Sequence, residues 1–227
     1  MSTRHAAGKD EAFKVDSRRT VGYVFARSII MGVARSLFRP RVRSFVPIPA
    51  TGGVLIAPVH RSNVDFVFPV LLTKRKMFFM AKDSLWKVGL LGRFLIAMGG
   101  FPVHRESADR ASLQRAEEVL ARGEVLILFP EGTRQEGPDV LEIHEGAAYL
   151  ASKTQCPIIP VGIAGSDRAM PKGATLPRPL RVSVYSGAAL QPAPLSESGK
   201  IQRSAIKAST EELRRALQVA FDAAKLL

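Results

Sequence analysis

Cysteine is nearly missing from this chain of 227 residues, where Cys156 stands alone. That excludes an internal disulfide and any cluster of thiolate metal ligands, and it suits a reducing compartment. Histidine is scarce too. His5, His60, His104 and His144 show neither HExxH nor any other paired ligand spacing, so no metal and no cofactor is expected. Acidic residues are the third shortage. Twenty Asp and Glu stand against 33 Lys and Arg, a formal net charge of +13, which asks for an acidic partner such as anionic lipid or nucleic acid. The opening twenty residues are polar and charged and do not read as a secretory signal.

Where the cations fall narrows the choice of partner. Residues 1–50 hold ten Lys/Arg and three Asp/Glu, and residues 74–93 hold six against one. Both stretches interleave cations with large apolar side chains, as in YVFARSIIMGVARSLF and LWKVGLLGRFLI. Nucleic-acid arms are basic and polar, and single-strand binders add aromatic platforms. Cations among aliphatics suit a membrane surface instead. An anionic membrane surface is therefore the expected partner, with no nucleic acid. A non-catalytic module binding anionic lipid or nucleic acid is the rival from another class.

Hydrophobic residues are plentiful at 46%, ample for one sizeable domain. Residues 1–16 read as a polar arm, and Thr20 as the cap of a helix over 21–38 that Pro40 ends. Its eighteen residues sit near the lower limit for crossing a bilayer. Arg27 inside it would cost about 2.5–3.5 kcal/mol at mid-bilayer. The helix is thus expected to lie in the interface with its arginines snorkelling, and packing on the domain is the alternative. The division expected is 1–40 for arm and membrane-associating helix, and 41–227 for the functional domain.

Past a connector with Pro47, Pro49, Gly52 and Gly53, buried or half-buried strands are expected at 54–58, 77–81, 101–104, 125–129, 158–163 and 180–185. Helices are expected after residue 60 and at 85–98, 108–122, 143–153 and 209–227, with a Pro- and Gly-containing loop over 165–179. Such alternation predicts an α/β fold, a mostly parallel, mixed sheet flanked by helices.

Two short runs carry chemistry. His60 follows the first of these strands, and a turn can bring Asp65 back to its Nδ1–H. That contact fixes the tautomer, leaves Nε2 free as a base and stabilises an imidazolium. Ser62 lies two residues on and reads as a cap or hydrogen-bond partner more than a nucleophile. The second run, FPEGTR at 129–134, leaves an apolar strand. Glu131, Gly132, Thr133 and Arg134 read as an anion cradle, with close backbone approach at Gly132, a hydroxyl at Thr133 and a guanidinium fork at Arg134, against a polar turn that closes a strand with Arg134 in a surface salt bridge. Lys82 and Arg105 each follow a short strand and are further phosphate-ligand candidates, against a reading as solvated surface charges.

VHRSNVD, GGFPVHR, FPEGTR and PIIPVGI stand in the order and spacing of four motifs. On these the chain resembles the glycerophospholipid acyltransferases from about residue 54 to 185, and is most similar to the bacterial 1-acyl-sn-glycerol-3-phosphate branch. The resemblance implies an α/β acyltransferase domain over 41–227. It implies transfer of a fatty acyl group from acyl-CoA or acyl carrier protein to the sn-2 hydroxyl of lysophosphatidic acid, giving phosphatidic acid. His60 is then the base and Asp65 its partner. Arg105 and Arg134 are phosphate ligands, Glu131, Gly132 and Thr133 belong to the acceptor loop, and Lys82 matches a family lysine. Pro160 shapes the acyl pocket. No metal and no covalent intermediate is implied, and the setting is peripheral, on the cytoplasmic face of the cell membrane. Val59 before the histidine, the HRS start, His104 before Arg105 and His144-Glu145 before Gly146 depart from the common pattern. Glycerol-3-phosphate, another lysophospholipid and a glycolipid hydroxyl are alternative acceptors.

Overall fold

The computed structural model describes residues 16–103, 110–196 and 198–227. Its centre is β2 (Val54–Pro58), whose five residues are all buried. A strand apolar at every position must be covered on both faces, and β2 accordingly lies inside a seven-stranded sheet. The remaining strands are β1 (Arg41–Ser44), β3 (Met77–Lys82), β4 (Gly100–Val103), β5 (Val125–Ile127), β6 (Ile158–Ala164) and β7 (Ser183–Ser186). The sheet order is β1-β7-β6-β2-β5-β3-β4. β2 through β6 are mutually parallel, while β7 runs antiparallel to β6 and carries β1 parallel to itself at the edge. The mostly parallel, mixed sheet expected from the alternation of elements is the fold found.

Helices α1 (Val21–Phe38), α2 (Gly89–Ala97), α3 (Arg110–Ala121), α4 (Gly146–Thr154), the short α5 (Ser166–Ala169) and α6 (Arg203–Lys225) complete the chain. α6 lies along β6 and β7 with α4 beside it, and α3 packs on β4, β5 and α4. The approach of α6 to β6 is close enough to require glycine. A Cβ on Gly162 would stand 2.0 Å from the Ala220 carbonyl oxygen.

The α1 boundaries match those expected. Thr20 Oγ1 accepts from the Tyr23 amide at 3.2 Å, and the helix ends at Arg39 in the left-handed region just before Pro40. Its packing corrects the snorkelling expectation. Tyr23, Met31, Ala34 and Phe38 are buried, and Phe38 meets Phe68 edge-on at 5.3 Å between centroids. Arg27 turns inward and donates to the carbonyls of Val70 at 2.8 Å and Thr73 at 2.6 Å. Those carbonyls close a run of 3-10 turns and lack helical partners, so the guanidinium satisfies them. The opposite face leaves Val21, Phe25, Ile29 and Val33 exposed, a stripe with a four-residue repeat.

Other boundaries moved for local reasons. The helix expected after residue 60 is two 3-10 turns, Asp65–Val67 and Pro69–Leu71, because Pro69 has no amide to continue a longer helix. The 85–98 helix splits into a 3-10 segment, Asp83–Lys87, and α2, with Val88 extended between them. β7 begins later than 180, α6 begins earlier than 209, and edge strand β1 carried no signal. The expected helix over 108–122 is α3, with 108 and 109 outside the described residues.

Candidate active site

Five parallel strands bring their carboxyl ends to one edge of the sheet, the usual place for a ligand crevice in open α/β sheets. β2 runs out into His60, and its neighbour β5 runs out into FPEGTR. Adjacency of those two strands, and not proximity in sequence, makes the two motifs one site.

After Pro58 the chain turns sharply, and Asp65 returns beneath His60. Its Oδ2 accepts from the Arg61 and Ser62 amides, both at 2.6 Å, and lies 3.2 Å from His60 Nδ1. Three contacts around one fully buried oxygen hold the carboxyl group in place. The imidazole packs at 4.3 Å on the Phe129 ring, tilted by 34°, with 13% of its side chain exposed. Phe129 is free to do so because β5 ends at Ile127 and not at 129 as expected. A carboxylate on Nδ1 sets the proton there and leaves the Nε2 lone pair for chemistry. Ser62 Oγ donates to the Met170 carbonyl at 2.7 Å, which ties the turn to the loop after β6 and occupies the hydroxyl proton.

Glu131 comes at His60 from behind. Its Oε2 accepts from the His60 amide at 3.0 Å, and both oxygens bind Arg61 Nη1, at 3.0 and 2.9 Å. Burial pushes the Glu131 carboxyl above its ordinary value, and the Arg61 charge offsets part of that rise. Gly132 sits at φ +67 with the His144 ring pressed where a Cβ would go, 2.7 Å away. Thr133 is exposed. Arg134 is half-buried and lines an open cavity of about 380 Å³ with Arg61, Lys172 and Phe221. Among the described residues its buried Nη1 has no hydrogen-bond partner, a donor suited to a ligand oxyanion.

Lys82 closes β3 and is exposed. β3 lies two strands from β2, about 10 Å at ordinary strand spacing, so the lysine is on the same sheet edge but not beside the imidazole. Arg105 lies outside the described residues. Among the described residues no three His, Cys, Asp or Glu side chains gather as metal ligands.

A second, apolar cavity is walled by Met31 of α1, Phe66, Val67, Phe79 of β3, and Phe94 and Met98 around α2. The 85–98 segment contributes Phe94, Leu95 and Met98 to this wall. The strand at 158–161 does not, because β6 is on the far side of β2. α2 also exposes Leu90, Leu91 and Phe94, apolar surface outside the cavity as well as within it.

The sequence carries little sign of the Arg61 contacts. An arginine after a loop histidine reads as a surface charge, and its only signal was a lone carboxylate, Glu131, in the partner motif.

Comparison with known proteins places the chain in a family. The profile of the family described as Acyltransferase matches residues 39–164, more than half of the chain. The chain is 30% identical over 119 residues to a 1-acyl-sn-glycerol-3-phosphate acyltransferase of Bacillus subtilis, covering 52% of this chain and 59% of the relative. It is 33% identical over 114 residues to the protein of that name from Streptococcus pneumoniae, covering 49% and 41%. The chain thus spans roughly half the length of these relatives. The crystal structure of the 1-acyl-sn-glycerophosphate acyltransferase PlsC from Thermotoga maritima superposes with a TM-score of 0.65 at 24% identity, over 88% of this chain and 83% of that one. That likeness is one of fold.

Proposed function

We propose, from the premise that this chain belongs to the acyltransferase family, that it moves a fatty acyl group from a thioester to the sn-2 hydroxyl of lysophosphatidic acid, yielding phosphatidic acid. The donor is acyl-CoA or acyl carrier protein. The names of the Bacillus and Streptococcus relatives support the acceptor, and the observation that carries the chemistry is the buried Asp65 carboxylate 3.2 Å from His60 Nδ1.

His60 Nε2 takes the proton of the acceptor hydroxyl as its oxygen attacks the thioester carbonyl carbon. The collapsing tetrahedral intermediate expels the thiolate, which takes up a proton, and the imidazole returns to its neutral form. Asp65 stabilises the intervening imidazolium. The enzyme forms no covalent intermediate and needs no metal or cofactor. Arg134, with Arg105 and Lys82, holds the acceptor phosphate so that the hydroxyl lies within reach of Nε2. Gly132 and Thr133 shape the acceptor loop. The apolar cavity between α1, β3 and α2 takes the acyl chain, and the apolar stripe of α1 rests on an anionic membrane, on its cytoplasmic face.

Mixing the purified chain with acyl-CoA, lysophosphatidic acid and a thiol reagent tests this reading. Free thiol released only when acceptor is present supports it. Release independent of acceptor, or none alongside salt-sensitive nucleic-acid binding, overturns it. The same assay with glycerol-3-phosphate and other lysolipids identifies the acceptor.

A further inference from the structure

Among the described residues Arg61 is the most completely buried cation of the site, and it has no role in the chemistry above. Its side chain is 2% exposed and that of Glu131 0%. One guanidinium joins four parts of the chain. Nη1 donates to both Glu131 oxygens and, at 3.4 Å, to the His60 carbonyl. Nη2 donates to the Asp139 carbonyl at 2.9 Å. The guanidinium carbon lies 4.9 Å from the centre of the Phe221 ring on α6. Glu131 uses the same carboxylate to accept the His60 amide.

A buried ion pair is a poor device for stability, since desolvating both charges cancels much of their attraction, and an apolar pair of similar volume often serves the fold as well. Its value lies in direction. Glu131 and Arg61 together grip both main-chain polar groups of His60, the one residue whose placement decides the proton transfer. Glu131 in turn belongs to the loop carrying Arg134. Both carboxylate oxygens are occupied and buried, so Glu131 faces His60 and Arg61, not the crevice.

We propose that the Arg61–Glu131 pair is a positioning brace, which holds the His60 backbone in register with the FPEGTR loop so that Nε2 meets the acceptor hydroxyl. The brace rests on the reading of His60 as general base. Arg61 acts through His60, with its guanidinium committed to Glu131 and the Asp139 carbonyl. A planar fork is needed, because a lysine can neutralise Glu131 but cannot also reach the Asp139 carbonyl in a fixed plane.

The test uses the full chain with acyl-CoA and lysophosphatidic acid, and compares Arg61→Lys, Arg61→Met/Glu131→Leu, His60→Ala and His60→Ala/Arg61→Lys. Arg61→Lys is expected to keep its circular dichroism and a KM for lysophosphatidic acid within about threefold. Its kcat should fall about a hundredfold, the effect of a small misplacement of a reacting group. The apolar pair is expected to fold and to show a similar loss. In the His60→Ala background Arg61→Lys should cost nothing more, since two groups acting as one unit are not additive. Normal kcat in Arg61→Lys or in the folded apolar pair overturns the brace. So does an equal further loss without His60, or unfolding of both Arg61 variants, which would assign the pair to the fold. Unchanged turnover in His60→Ala removes the general-base reading itself, and the brace with it.

Discussion

The Gln135 amide donates to the His60 carbonyl at 2.9 Å. Through that bond the residue after Arg134 is fixed to the proposed base, so two loops leaving neighbouring strands share one frame. A shift in either loop therefore changes the distance between the group that takes the proton and the group that holds the phosphate.

His60→Ala is expected to lower kcat by about two to four decades with little change in KM. Asp65→Asn should follow it part of the way, since an amide can still accept from the Arg61 and Ser62 amides but carries no charge to support the imidazolium. Steady-state kinetics on folded protein decides. An Asp65→Asn enzyme with normal kcat would separate the carboxylate from the chemistry.

Arg134→Ala is expected to weaken a phosphorylated acceptor by about ten- to a hundredfold, the worth of a charge-assisted hydrogen bond. A monoacylglycerol lacking the phosphate should be nearly indifferent to the change. Comparing KM for the two acceptors checks this. Equal losses on both would make Arg134 a structural residue.

Phe25→Glu and Ile29→Glu place charge on the exposed stripe of α1, away from its buried face. Vesicle sedimentation should show weaker binding to anionic lipid, with melting temperature unchanged. Deleting the helix is a poorer experiment, because Tyr23, Met31 and Phe38 are part of the packed domain. Undiminished partitioning of both variants would take α1 out of the membrane contact.

Arg27→Met strips the Val70 and Thr73 carbonyls of their donor. Orphaned acceptors at a half-buried site cost about 1–3 kcal/mol, read as a lower denaturant midpoint at constant slope. An unchanged midpoint would mean that water replaces the guanidinium freely.

Arg61→Met leaves the Glu131 carboxyl buried without its counter-charge. Burial already raises that group in the folded chain, and removing Arg61 raises it further. A folded-state value above the unfolded one gives stability that is present at low pH and lost as pH rises through the folded value. The variant's deficit against the parent should thus be smaller in mildly acidic than in mildly alkaline buffer. Denaturant titrations at both pH values measure it, and a pH-independent deficit would argue against a charged, buried Glu131.

Much of the fold was legible because its signals are local. The Thr20 cap and Pro40 bracket α1 to the residue, and the uniformly apolar 54–58 run announced a strand covered on both faces. The 85–98 segment failed for the converse reason. Its apolar residues suit a continuous helix, but Val88 is extended and divides it. Edge strand β1, with Arg41 and Arg43 at exposed positions, has no apolar pattern to detect and exists because β7 lies beside it.

The chain's order of residues determined on its own which groups were available: an imidazole with a carboxylate five positions on, a guanidinium at the end of FPEGTR, and a large excess of positive charge. Tertiary structure alone decided that Arg61 pairs with Glu131 and that Arg27 faces inward onto bare carbonyls. The physical reason is range. Caps, turns and periodicity act over a few residues, whereas these contacts join segments that meet only when β2 and β5 pair side by side and α1 packs onto the turns beyond β2.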